Sequence, residues 1–168
     1  MKRRTVLTVG IAAGALVALA GATIALLTPG RREGRLTEAG RALFAAVARA
    51  VLDGMLPADP AVRTAALDAH LARVQDTISG MPPPVQAEID ELITIMASTP
   101  GRLALAGLGT DWQSASVAEV THALQGMRAS RLALRQQAFH ALRDLTNGSY
   151  FAAPDTWGAI GYPGPRTL

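Results

Sequence analysis

The chain has 168 residues and no cysteine, which excludes disulfides, thiolate-held iron–sulfur clusters and covalent haem attachment through this polypeptide. Aromatic residues are scarce at seven, and lysine occurs once against fifteen arginines. The three histidines, His70, His122 and His140, are scattered, so no sequence-local cluster has metal-ligand spacing. Phosphate loops are not supported either, because Gly107-x-Gly109 has no third glycine and no preceding strand. Ser114, Ser116 and Ser130 lack the flanking glycines of a nucleophile elbow. No internal repeat and no sustained two-residue alternation is present after Leu36.

An isoelectric point near 10.2 suggests a nucleic-acid or anionic partner. The distribution of charge argues against nucleic acid. Six of the sixteen basic residues lie within positions 1–35, against the single acid Glu33. From Leu36 onward ten arginines face twelve acids, a net charge of −2. The basicity belongs to the N-terminal segment, not to the body of the protein.

That segment opens Met1-Lys2-Arg3-Arg4 and continues into an uncharged, proline-free apolar run from Val6 to Leu27. Paired arginines before a mild Ala/Gly/Thr-containing run are the mark of a twin-arginine export leader, the class used for cargo that folds before crossing a membrane. Ala20-Gly21-Ala22 offers a cleavage site. The same 22 residues, at about 1.5 Å each, also reach across a hydrocarbon core of about 30 Å, so an uncleaved signal anchor is the competing reading. Both place the body outside the cytoplasmic membrane, in the periplasm and at or tethered to that membrane. The expected division is a leader or anchor with stem over 1–35 and one domain over 36–168.

The body is expected to be all-α, a compact bundle of four to five helices. Thr37 is suited to cap a helix running to about Met55, with Leu43, Phe44, Val47 and Val51 on one face. Leu67, Leu71, Val74 and Ile78 form the stripe of a second helix. Gly80-Met81-Pro82-Pro83-Pro84 breaks the chain, and its last prolines suit the first turn of a third helix, carrying Val85, Ile89, Leu92, Ile93 and Met96. Ser116-x-x-Glu119 is a capping box that starts a helix at Val117. A last helical pattern from Leu132 through Leu145 is expected to stop at Asn147-Gly148. Beyond it the region 149–168 reads as an irregular tail, because Pro154, Gly158, Gly161, Pro163, Gly164 and Pro165 interrupt it. That tail holds Tyr150, Phe151, Trp157 and Tyr162, four of the seven aromatics. They pack either on the bundle or on a partner.

Candidate chemistry is thin. Glu119-x-x-His122 has the spacing that supplies ligands in di-iron bundles, but it has no second copy and Glu119 is already needed for capping. Asp68 and His70 stand two apart and do not share a helix face. Arg128, Arg131, Arg135 and Arg143 form an anion site, a solvated face or partner contacts. The group Glu88, Asp90 and Glu91 reads as a solvated helix start. No catalytic, cofactor-binding or metal-binding residue is assigned, and a small hydrolase or metal enzyme lacks the groups it needs.

Several segments together resemble the gluconate 2-dehydrogenase subunit 3 family, the small or gamma subunits of membrane-associated flavin dehydrogenases. These are the apolar helix ending in Leu56-Pro57-Ala58-Asp59, the stretch Arg128-x-Ser130-Arg131, and above all the tail. There Tyr150-Phe151, Pro154, Trp157 and Ile160-Gly161-Tyr162-Pro163-Gly164-Pro165 follow the family pattern. The resemblance covers about Leu36 to Pro165. It implies a non-catalytic escort, which carries the twin-arginine signal Arg3-Arg4 for a folded FAD-containing large subunit and then stabilises it. A cytochrome c third subunit with haem c is compatible with this role, and the Tat translocase is an implied partner. Tyr150, Phe151, Trp157 and Tyr162 are the expected partner contacts. The alternative is a membrane-anchored periplasmic helical interaction domain with no dehydrogenase partner.

Overall fold

Capping and proline placement decide where the helices of this chain start. A computed structural model describes residues 28–164, so the leader with Arg3, Arg4 and Val6–Leu27 lies outside the described residues. The first ordered feature is a minimal antiparallel hairpin, β1 (Arg31–Arg32) and β2 (Arg35–Leu36). Its turn places Glu33 at φ 50° and Gly34 at φ 78°, the paired left-handed conformations that match strand twist in a two-residue connection. Six helices follow: α1 (Glu38–Val51), α2 (Pro60–Ser79), α3 (Pro83–Ala97), the single turn α4 (Thr99–Gly101), α5 (Val117–Arg128) and α6 (Ala133–Phe151). They pack into a compact, mostly helical bundle.

The caps explain the starts. Thr37 Oγ1 accepts from the Gly40 amide at 3.3 Å at the head of α1. Asp59 accepts from both Ala61 and Val62 ahead of α2, with Pro60 at its first position. Ser116 and Glu119 form the reciprocal capping box of α5. Between α4 and α5 the chain makes a π-helical turn, Arg102–Ala106, closed by Gly107 at φ 68°.

The main core gathers Leu43, Phe44, Val47, Leu71, Val74, Ile78, Ile93, Met96, Met127 and Leu142, all fully or almost fully buried. Trp112, in the loop before α5, is buried among them and donates its indole N–H to the Met96 carbonyl at 2.7 Å. A second, smaller cluster joins Ala48, Leu52 and Tyr150, where the ends of α1 and α6 meet.

Four expectations are corrected. The first helix stops at Val51, not near Met55, because the chain turns through Leu52–Met55 with Gly54 at φ 79°. The last helix runs through Asn147-Gly148 to Phe151, since Ser149 and Tyr150 are buried and hold the backbone in register. The tail is not irregular throughout: Pro154–Ile160 is a 3₁₀ helix. The helix count is six where four to five were expected, the additional one being the single turn α4.

The folded unit also reaches back before Leu36. Gly30 donates its amide to Thr94 Oγ1 at 3.0 Å, and a Cβ on Gly30 would run into Ile93. Gly40 is equally constrained, because a Cβ there would collide with the Gly30 carbonyl. Arg31 is clamped by Asp90 at 3.0 and 3.2 Å and donates to Ser79 Oγ at 2.8 Å. Its side chain is only 3% exposed, so its charge depends on Asp90, which is not the free solvated acid expected from the sequence. Asp90→Ala should lower stability by about 2 kcal/mol, less than the 3–5 kcal/mol typical of a fully enclosed pair because Asp90 is itself partly solvated. A thermal melt monitored by far-UV circular dichroism checks this, and a melting temperature unchanged from wild type contradicts it.

Candidate functional site

The four tail aromatics are brought to one end of the bundle, but in unequal settings. Tyr150 points inward from the last turn of α6. Its hydroxyl donates to the Met55 carbonyl at 3.0 Å, and its ring packs edge-on against His70 with centroids 5.9 Å apart. Leu56, Leu67 and Phe151 pack around the same cluster. Burial pushes the Tyr150 phenol above its ordinary value.

Past Phe151 the chain folds back onto the end of α6 and satisfies its unpaired carbonyls. Thr156 Oγ1 donates to Tyr150 O at 3.1 Å and to Ala153 O at 2.7 Å. The Trp157 indole N–H donates to Phe151 O at 2.7 Å. Gly161 reverses the chain at φ 68°, and the Tyr162 amide then reaches Trp157 O at 3.1 Å. The Trp157 and Tyr162 rings stack tilted at 5.1 Å, while Gly164, at φ 91°, lies against the indole. The glycines and prolines of the tail thus shape a cap. Tyr150 is its buried root, and Phe151 and Trp157 are half-buried. Tyr162 at 47% and Ile160 at 51% exposed form its outer surface.

An open cleft of about 350 Å³ is lined by Arg49, Asp53, Leu56, Ala58, Arg63 and Val117. Leu56 lines this cleft and also packs against the Tyr150 cluster. The Arg63 guanidinium is spent on the Pro57 and Ala58 carbonyls and holds the rim of this cleft. Arg49, Asp53 and Arg63 make the cleft lining mixed in character, charged beside apolar.

The other motifs do not converge. Glu119 accepts from Thr110, from Ser116 Oγ and from the Ser116 amide at 2.7–2.8 Å. The hydroxyls of Ser116 and Thr110 hold its carboxyl down to about 2. His122 beside it is exposed. Among the described residues no group of three His, Asp or Glu side chains is arranged to hold a metal. Asp68 pairs with Arg41 at 2.6 Å, away from His70. The four arginines do not form one site: Arg135 donates to the Leu105 carbonyl and Arg143 pairs with Asp144 over the Phe139 ring. No helix among the described residues is long and apolar enough to cross a membrane.

Sequence reasoning missed His70. It falls on the stripe of Leu67, Leu71 and Val74, and that spacing was the available signal. Its ring is fully buried, and neither nitrogen has a partner among the described residues. Comparison with protein-family models, with curated proteins and with solved structures finds no match to this chain.

Burial, helped by the nearby Arg73 charge, lowers the His70 pKa from 6.5 to about 4. The unfolded chain therefore takes up a proton on this residue first as pH falls. Stability should drop progressively from about pH 6.5 and lose about 3 kcal/mol from this residue by pH 4. His70→Leu should flatten that part of the profile. Urea melts across the range check it, and a slope unchanged in the variant refutes the assignment.

Proposed function

We propose that this chain is a non-catalytic small subunit that escorts a folded FAD-containing dehydrogenase out of the cytoplasm and then stabilises it in the periplasm, at the membrane. The observation that carries the proposal is the cap: Ile160 and Tyr162 are exposed on a rigid, hydrogen-bonded support at the end of the bundle. Single exposed apolar residues are common on protein surfaces. Two on one braced turn, next to a half-buried Trp, fit the aromatic anchors that dominate protein interfaces.

Two further observations support the reading. The tail residues that build the cap are the ones that resemble the gluconate 2-dehydrogenase subunit 3 family most specifically. Arg3-Arg4 advertises export of folded cargo, and a leader of that kind on a sequence without a cofactor fingerprint is explained if the cofactor sits in another polypeptide. In this role FAD belongs to the large subunit, haem c to a third subunit where one is present, and the partner's substrate is an alcohol or sugar. Partner contact falls to Tyr162, Ile160 and the exposed parts of Trp157 and Phe151. Tyr150 acts from within, by holding them in place.

Arg3→Lys combined with Arg4→Lys should leave the flavoprotein partner in the cytoplasm, because both travel on one signal. Cell fractionation with a flavin assay of each compartment tests this. Undiminished periplasmic flavoprotein in the double variant would show that the partner has its own route, and the escort role would fall.

A further inference from the structure

Buried polar groups in folded proteins are nearly always paired, and His70 on α2 is an exception. Its ring is 0% exposed, and neither Nδ1 nor Nε2 has a hydrogen-bond partner among the described residues. Thr146 Oγ1, one turn before Tyr150 on α6, is buried and unpartnered in the same way. The Tyr150 ring lies edge-on to His70, with centroids 5.9 Å apart. Tyr150 is in turn the root of the cap. Its hydroxyl holds the Met55 carbonyl, and its own carbonyl accepts from Thr156 Oγ1.

A neutral imidazole tolerates this position, whereas a cation does not. Protonated, His70 has two N–H donors with nothing to receive them, and the charge that acts on it is that of Arg73, one turn along α2. The carboxylates of the surrounding elements are engaged elsewhere. On α2, Asp68 is paired with Arg41. From α1 the residues packed with Tyr150 are Ala48 and Leu52, while Arg49 and the following Asp53 line the open cleft. On α6, Asp144 is paired with Arg143. On α3, Asp90 is held by Arg31, which also binds Ser79, nine residues and about 13 Å along α2 from His70. Asp155 of the tail acts on Tyr150 and not on His70.

What covers His70 is the weaker of two separate apolar clusters. The main core, around Phe44, Met96 and Leu142, does not include Tyr150. The smaller cluster is Ala48, Leu52 and Tyr150 with half-buried neighbours. Moving the Tyr150 ring outward therefore opens a path from solvent to His70 without dismantling the main core. We propose that the cap is a latch released by acid: a charged His70 displaces the Tyr150 ring, and the Thr156 and Trp157 contacts let go with it while the main core stays folded. Burial keeps His70 neutral down to about pH 4, against 6.5 for a solvated ring, so acidification below 6.5 favours the open cap. The open-to-closed ratio should rise about 20-fold between pH 7 and pH 5. The proposal concerns this chain alone and holds whatever docks on Ile160 and Tyr162.

The chain's two tryptophans report on the two parts separately. Trp157 donates its indole N–H to Phe151 O in the cap, and Trp112 donates its own to Met96 O in the main core. Hydrogen exchange of the two indole N–H groups in the full chain, followed by NMR and corrected for the rate of free indole, reads the opening of each. Trp157 should be at least about tenfold less protected than Trp112 throughout, and its protection should fall about 20-fold from pH 7 to pH 5. His70→Gln and His70→Leu, neither of which titrates, should each keep that protection constant over the same range. Equal protection of the two indoles at every pH means that the cap opens only with the whole molecule, and overturns the latch. A fall that persists in both His70 variants overturns it too, as does a wild-type Trp157 whose protection does not change with pH.

Discussion

Tyr150 closes the bundle where α1, α2 and α6 converge. Its ring fills the gap between Ala48, Leu52 and His70, and its hydroxyl satisfies the Met55 carbonyl in the turn that follows α1. Burying such a ring stabilises the fold by about 2–3 kcal/mol. That exceeds the cost of about 1 kcal/mol for carrying Gly148 within a helix, so α6 continues past a glycine that would otherwise end it. The carbonyls left at the end of α6 are then taken up by Thr156 and Trp157. The exposed cap is therefore a consequence of one buried tyrosine. Without it the tail has nothing to fold against.

The parts of this fold that were legible in the sequence are those set by neighbours along the chain. Thr37, the Ser116/Glu119 box and the prolines at the head of α3 act within four residues, and each appears as expected. The parts that were not legible depend on long-range burial. Arg31 and Asp90 are 59 residues apart, and nothing local marks either as a buried partner. Gly148 reads as a stop until Tyr150 is known to be inside. The tail aromatics could be seen as a group, yet their division into one buried root and an exposed rim required the three-dimensional path of Pro154–Gly164. His70 carries a polar label on an apolar stripe, and only the packing against Tyr150 shows which of the two governs.

α1 separates the two ends of the molecule by about 21 Å. At one end the chain enters beside Thr37 and Arg102. At the other, the cap presents Ile160 and Tyr162 on a hydrogen-bonded support. The helical core in between is well packed and supplies stiffness, while its polar motifs are consumed by structure: Glu119 in a cap and Asp68 in an ion pair.

The most direct test of the central claim is the flavin that co-purifies with the full chain from its native host. The account predicts a yellow complex with FAD in fixed proportion to this subunit, and loss of that FAD when Ile160→Ser and Tyr162→Ser are combined, with the variant's own thermal melt unchanged. A chain that purifies alone and colourless, or a double variant that retains its full complement of FAD, would contradict it.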